Sequence, residues 1–206
     1  MFTGIVQALV EVDHVVSEGS LKRLGLALGP LAEGLELGAS VAVNGTCLTV
    51  TSVGNTATFD VIAETLTTTN LDHLQPGSLV NVERSFRVGD EVGGHILSGH
   101  ITGVATLVEI EDGPEQRDLV FEAQPAWMKY LQHKGFVALD GASITIARVD
   151  PEHLRFTVCL IPETIARTTL GHIRVGDAVN VEVDQQTQAI VDTVERVLAE
   201  KTLTSA

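Results

Sequence analysis

Two short stretches carry residue types at a spacing that can hold and react with a small molecule. In Asn44-Gly45-Thr46-Cys47-Leu48-Thr49-Val50 and Asp140-Gly141-Ala142-Ser143-Ile144-Thr145-Ile146, two polar side chains stand two positions apart. In a strand that spacing puts Cys47 and Thr49 on one face and Leu48 and Val50 on the other, and it does the same for Ser143 and Thr145 against Ile144 and Ile146. An Asn-Gly or Asp-Gly turn precedes each and exposes backbone donors. Such groups suit a planar heterocycle with imide-like edges. They also serve as ordinary strand-end hydrogen bonders, and it is their recurrence in matched context that favours a ligand. Cys47 matches Ser143, so the two places differ in chemistry. Beside a base the thiolate is the stronger nucleophile, and without one it is a small buried hydrophobe.

The glycine-rich run Gly93-Gly94-His95-Ile96-Leu97-Ser98-Gly99-His100 brings two imidazoles. Their odd spacing puts the rings on opposite faces of a straight strand. No Cys or acidic pair at ligand spacing lies nearby, so no metal site is expected. His100 falls where the matching stretch Thr3-Gly4-Ile5-Val6 has Ile5, and histidine as a residue type is suited to proton transfer near neutrality. Its other reading is a histidine capping the turn between the copies. Glu64-Thr65 and Glu163-Thr164 open short helical turns, either as caps or as ligand contacts through the free amides of a helix start. Asp184 ends a strand, where an acid caps the helix that follows.

The elements that position these residues come in two copies. Asn44 to Val50 returns 96 positions later, Ile62-Ala63-Glu64-Thr65-Leu66 returns as Ile161-Pro162-Glu163-Thr164-Ile165, and Val80-Asn81-Val82-Glu83 as Val179-Asn180-Val181-Glu182. Four landmarks in one order indicate a fold used twice. Short β-branched runs at 40–43, 47–52, 56–62 and 79–83, with partners in the second half, predict an all-β chain of two tandem six-stranded Greek-key barrels. Helical turns over 65–74 and 163–170 are placed to plug a barrel end. The expected units are 1–96, 97–185, and a carboxyl-terminal helix and tail over 186–206. In that helix Ile190, Val191, Val194, Val197 and Leu198 recur at helical spacing. It either packs on its own barrel or joins subunits.

Composition narrows the function. A formal charge of −14 and only eight aromatic residues in 206 leave a nucleic-acid partner without an electrostatic or stacking basis. No stretch approaches the roughly 20 apolar residues of a membrane span, and the amino terminus lacks a basic leader, so a cytoplasmic protein without a membrane partner is expected. The two cysteines occupy non-equivalent places, which predicts reduced thiols.

Met1-Phe2-Thr3-Gly4-Ile5-Val6, the Asn44 to Val50 stretch, Gly93-Gly94-His95 with Ser98-Gly99-His100, Ile161-Pro162-Glu163-Thr164 with Arg167-Thr168-Thr169-Leu170-Gly171, and Gln186 to Arg196 together resemble the alpha-type riboflavin synthases. The resemblance runs from residue 1 to about residue 200. It implies one lumazine per barrel and a homotrimer joined through the carboxyl-terminal helices, and leaves open any association with lumazine synthase. It also implies a transferase that needs no cofactor or metal. Two molecules of 6,7-dimethyl-8-ribityllumazine exchange a four-carbon unit, giving riboflavin and 5-amino-6-ribitylaminouracil. On matching positions, Ser40, Cys47 and His100 fall in an amino-terminal site and Ser143, Thr145 and Asp184 in a carboxyl-terminal one. The pockets would be lined by Gly4, Ile5 and Val6; Cys47, Leu48 and Thr49; Asp60, Val61, Ile62, Ala63, Glu64 and Thr65; Gly99, His100 and Ile101; Lys134; Ser143, Ile144 and Thr145; and Ile161, Pro162, Glu163, Thr164, Ile165 and Ala166. The productive site is expected between the amino-terminal barrel of one subunit and the carboxyl-terminal barrel of its neighbour. His100 is the candidate base. Cys47 either adds to or orients the second ring, and Ser143, Thr145 and Asp184 move protons or fix it. The other function compatible with the resemblance is a non-catalytic lumazine or flavin carrier.

Overall fold

Each copy closes six antiparallel strands into a barrel with the same ring order. The computed structural model describes residues 1–113 and 116–204, so residues 205 and 206 of the expected tail lie outside the described residues. In the first copy β1 (Ala8–Glu18), β2 (Leu21–Leu26), β3 (Ser40–Val43), β4 (Thr46–Val53), β5 (Ala57–Val61) and β6 (Leu79–Arg84) close in the order β1-β2-β5-β4-β3-β6. In the second, β7 (Gly103–Asp112), β8 (Arg117–Glu122), β9 (Phe136–Leu139), β10 (Ala142–Asp150), β11 (Arg155–Leu160) and β12 (Ala178–Val183) repeat that ring.

Alternation along the strands makes each core. Leu24, Leu26, Val41, Phe59, Val80 and Val82 fill the first barrel, and Leu107, Leu119, Phe121, Phe156, Val158 and Val181 the second. Removing each such side chain from water contributes about 1.5–3 kcal/mol. Register shifts recur at matched places, Val12/His14 with Leu107/Glu109 and Val50/Ser52 with Ile146/Arg148. Such bulges bend long strands enough to close a small barrel.

The helical turns begin earlier than the sequence suggested. Helix α1 spans Ala63–Thr68, and α3 spans Pro162–Arg167 after the short α2 (Pro125–Met128). Ile62 and Ile161 take the extended cap conformation, and Pro162 presets the first helical φ. A 3-10 turn follows each helix and drives one leucine, Leu71 or Leu170, fully into its barrel. These leucines are the plugs. Helix α4 (Gln185–Thr204) ends the described chain.

The barrels meet on a pseudo-twofold axis at the two glycine turns. Asn44 and Asp140 both stand at φ 44°, and a Cβ on Gly45 would lie 2.6 Å from the Gly141 nitrogen. The repeated asparagines cross this axis: Asn81 Nδ2 donates to the Asp140 carbonyl and Asn180 Nδ2 to the Asn44 carbonyl, each at 2.8 Å. Asp140 is buried there and accepts from Asn180 N, Asn70 Nδ2 and Thr169 Oγ1.

Burial outweighs those donors and pushes the Asp140 carboxyl up to about 7. The folded state therefore holds this proton more tightly than the unfolded chain does. The stability it contributes is present below about pH 4 and is lost as pH rises towards 7. Denaturant midpoints at pH 5 and pH 7.5 are expected to show lower stability at the higher pH. Asp140→Asn, which puts here the residue the first copy carries at Asn44, should shrink that difference.

Candidate functional site

Each barrel has a gap in its wall at the stretches that carry the polar pairs. The ladder between β4 and β5 begins at Val50 opposite Phe59, and that between β10 and β11 at Ile146 opposite Val158. Residues 46–49 and 142–145 therefore pair on one side only, with β3 and β9. The chain leaving β5 or β11 peels away into α1 or α3. A slot opens between strand edge and helix start.

The other copy reaches into the slot. Thr3 N and Oγ1 donate to Glu83 Oε1 at 2.6 and 2.8 Å, and Gly4 N donates to Oε2 at 3.1 Å. So held, the Gly4 carbonyl accepts from Ser143 N of the second barrel at 2.8 Å. The mirror arrangement has Ser98 and Gly99 on Glu182 and the Gly99 carbonyl accepting from Cys47 N at 2.9 Å. Glycine is required by geometry: φ is +76° at Gly4 and +81° at Gly99, and a Cβ there would lie 2.5 Å from Ser143 Cβ and 2.6 Å from Cys47 Cβ. Burial raises the pKa of both glutamates, while the donors they hold act in the opposite direction.

The carboxyl-terminal slot is a cleft of about 150 Å³ lined by Gly4, Ile5 and Val6, by Ala142, Ser143 and Ile144, and by Ile161, Glu163, Thr164, Arg167 and Thr168. The duplication puts Gly99, His100 and Ile101, Thr46, Cys47 and Leu48, and Ile62, Glu64, Thr65, Thr68 and Thr69 at the matching places of the amino-terminal barrel. The two sets differ at telling points: Cys47 stands for Ser143, His100 for Ile5, and Thr68 for Arg167. Cys47 is half-buried and His100 exposed. Arg167 pairs with Glu163 along α3. Val61, Ala63, Pro162, Ile165 and Ala166 belong to the strand ends and helices that frame the slots.

Other expected site residues have structural ties. Ser40 pairs with Thr49 across β3 and β4, and its carbonyl accepts from Ser85. Thr145, paired with Phe136, is exposed on the outer face of β10. Asp60 is bound by Arg23 at 2.7 Å. Lys134, with φ +62°, sits within electrostatic reach of Cys159 and outside the residues lining the carboxyl-terminal cleft. Asp184 accepts from Thr187 N and Oγ1 and so caps α4. Partial burial raises its pKa, but the Thr187 donors and the nearby His95 outweigh that and hold it below the ordinary value. Among the described residues no group of three or more His, Cys, Asp or Glu gathers as metal ligands.

Three participants escaped the sequence reading. Glu83 and Glu182 served there only as landmarks of the repeat, although a carboxylate recurring in an apolar Val-Asn-Val strand is itself a signal of a buried anchor. His95 has no role there beyond being one of two imidazoles and part of the family resemblance. Its Nδ1 lies 2.6 Å from Ser143 Oγ and its ring stacks on Phe136.

Residues 3–85 and 98–184 each match the lumazine binding domain. Over 202 residues, 97% of this chain and 94% of the relative, the sequence is 48% identical to riboflavin synthase of Escherichia coli (strain K12). The chain belongs to the riboflavin synthase family. A second member, riboflavin synthase of Chlamydia muridarum (strain MoPn / Nigg), is 43% identical over 98% of each chain. The barrel pair also superposes on two structures of LumP. One, complexed with riboflavin, gives a TM-score of 0.83 at 26% identity, covering 90% of this chain and all of that one. The other, complexed with 6,7-dimethyl-8-(1'-D-ribityl) lumazine, gives 0.79 at 27%, covering 89% and 99%. Within the family, then, the duplication found in the sequence is the repeat of one ligand-binding domain.

Proposed function

We propose that this member of the riboflavin synthase family converts two molecules of 6,7-dimethyl-8-ribityllumazine into riboflavin and 5-amino-6-ribitylaminouracil by transfer of a four-carbon unit. It is a transferase of riboflavin biosynthesis. The observation that carries this reading is one slot built twice with different reactive groups, Cys47 and His100 beside one and Ser143 beside the other. A dismutation between like molecules needs two nearly equivalent seats. It also needs the two occupants to be treated differently.

Beyond Cys47 N and Ser143 N, which the Gly99 and Gly4 carbonyls occupy, the strand edges at 46–49 and 142–145 supply backbone donors and acceptors for the imide-like edge of the ring, as a partner strand would. Thr164 lines the carboxyl-terminal cleft and Thr65 holds the matching place in the first copy, so their hydroxyls are assigned to the ribityl chain. Holding two rings face to face replaces an improbable encounter with an oriented one, worth up to about 7–11 kcal/mol of barrier. The 7-methyl protons are acidified by delocalisation into the ring, so a base of ordinary strength removes one. His100 takes that part, and Cys47 adds to or orients the partner ring.

The working assembly is a homotrimer in the cytoplasm, in which the amino-terminal slot of one subunit faces the carboxyl-terminal slot of the next. Helix α4 supports this. Its Val191 edge packs on its own barrel, and Asp192 and Glu195 tie it to Lys129 and Tyr130. Ile190 and Val194 remain 64% and 51% exposed on a side a neighbour can cover. The functional units are 1–96, 97–185 and the helix and tail 186–206. High negative charge argues against nucleic acid, and no helix among the described residues is long and apolar enough to cross a membrane.

The test is to incubate purified protein with the lumazine and a chelator and follow riboflavin by absorbance. One riboflavin per two lumazines consumed is expected. Tight binding without turnover would make the chain a carrier.

A further inference from the structure

His95 is the buried titratable group for which the scheme above has no use. The residue is only 8% exposed, its Nε2 has no hydrogen-bond partner among the described residues, and its Nδ1 lies 2.6 Å from Ser143 Oγ, at the lining of the carboxyl-terminal cleft. A buried polar atom left unpaired costs about 1–3 kcal/mol, and one retained in a folded chain calls for a reason. The ring is fixed from its other side by stacking on Phe136, with centroids 5.2 Å apart. Among the described residues the two slots have histidines in different settings: His100 exposed at the amino-terminal slot, and His95 beneath the Ser143 hydroxyl at the carboxyl-terminal one.

We propose that His95 is a positioning residue of the carboxyl-terminal site that works through Ser143 as a proton relay for the second lumazine. The step balances without a co-reactant. As Ser143 Oγ takes a proton from the bound ring system, its own hydroxyl proton passes to His95 Nδ1. The ligand loses one proton, the imidazole gains one, and the reverse transfer returns it when product forms. Burial keeps the resting ring neutral by disfavouring its charged form, and Asp184 at the start of α4 attracts the imidazolium once formed. The other elements packed on the ring present Phe136 of β9 and Ser143 of β10, neither of them charged.

This inference rests on the proposed activity, and the experiment separates the two. His95→Phe keeps a ring for the stack and removes the hydrogen bond, and Ser143→Ala removes the other partner. Expected are a kcat about tenfold or more lower in each variant, a KM within about twofold, and a double variant no worse than the poorer single one. One ionisation on the acid side of the kcat profile should also disappear. An unchanged kcat, or a double variant showing the product of the two single losses, overturns the relay. Should melting show His95→Phe to be unfolded, Ser143→Ala decides alone: wild-type kcat with an intact acid limb overturns it. Absence of riboflavin from the wild-type protein would instead overturn the proposed function.

Discussion

His100→Gln is expected to lower turnover by about 10²-fold or more while the protein still folds and binds lumazine. The size is what a general base contributes to a proton-transfer step. The side chain is exposed beside the amino-terminal slot, next to the Gly99 whose carbonyl accepts from Cys47 N, so the substitution leaves no buried cavity. Cys47→Ser should cost less, since a hydroxyl keeps the orienting contact and loses only the stronger nucleophile. The measurement is kcat and lumazine affinity for each variant separately. Turnover within a few-fold of wild type in His100→Gln would remove it as the base.

Gly45→Ala is expected to destabilise the protein by about 2–5 kcal/mol, from a left-handed residue acquiring a Cβ and from overpacking. Gly45 has φ +78°, and its Cβ would stand 2.6 Å from the Gly141 nitrogen and 2.9 Å from the Gly141 Cα. Both contacts are backbone, so no side chain can swing aside. The barrels must separate, and with them the crossings by which Gly4 and Gly99 meet Ser143 and Cys47. Activity is therefore expected to fall along with the denaturation midpoint. Gly19→Ala is the control, because Gly19 shares a positive φ of +64° but has nothing within 4 Å of the added methyl. Equal losses in the two variants would mean that the close approach on the pseudo-twofold axis contributes nothing.

What the sequence disclosed was local or repeated. Alternation at Leu48 and Val50 against Cys47 and Thr49 fixed which face turns inward, and in the structure Leu48 and Val50 are buried while Cys47 is half-buried and Thr49 exposed. The strand over 40–43 has the bounds that its β-branched run suggested. What it withheld depends on partners far along the chain. Thr3 meets Glu83, and Asn180 meets Asn44 across 136 positions. No periodicity encodes contacts at such separations, whether within a copy or between copies. The part of α4 that packs was also beyond pattern, because Val191 and Val194 look alike in the sequence and differ only in what stands opposite them. His95 was passed over for a related reason: its partner Ser143 lies 48 positions along the chain.

The central claim is that the two unlike slots work as a pair drawn from neighbouring subunits. Mixing two disabled chains tests it most directly. One carries His100→Gln with Cys47→Ser, and the other Thr164→Trp, which fills the carboxyl-terminal cleft. Each alone should be nearly inactive. Co-expressed in equal amounts they should recover about a quarter of wild-type turnover, the share of intact slot pairs that random assembly of a closed ring produces. Recovery no greater than the sum of the separate variants would contradict the claim, because a pair formed within one chain cannot be restored by a neighbour.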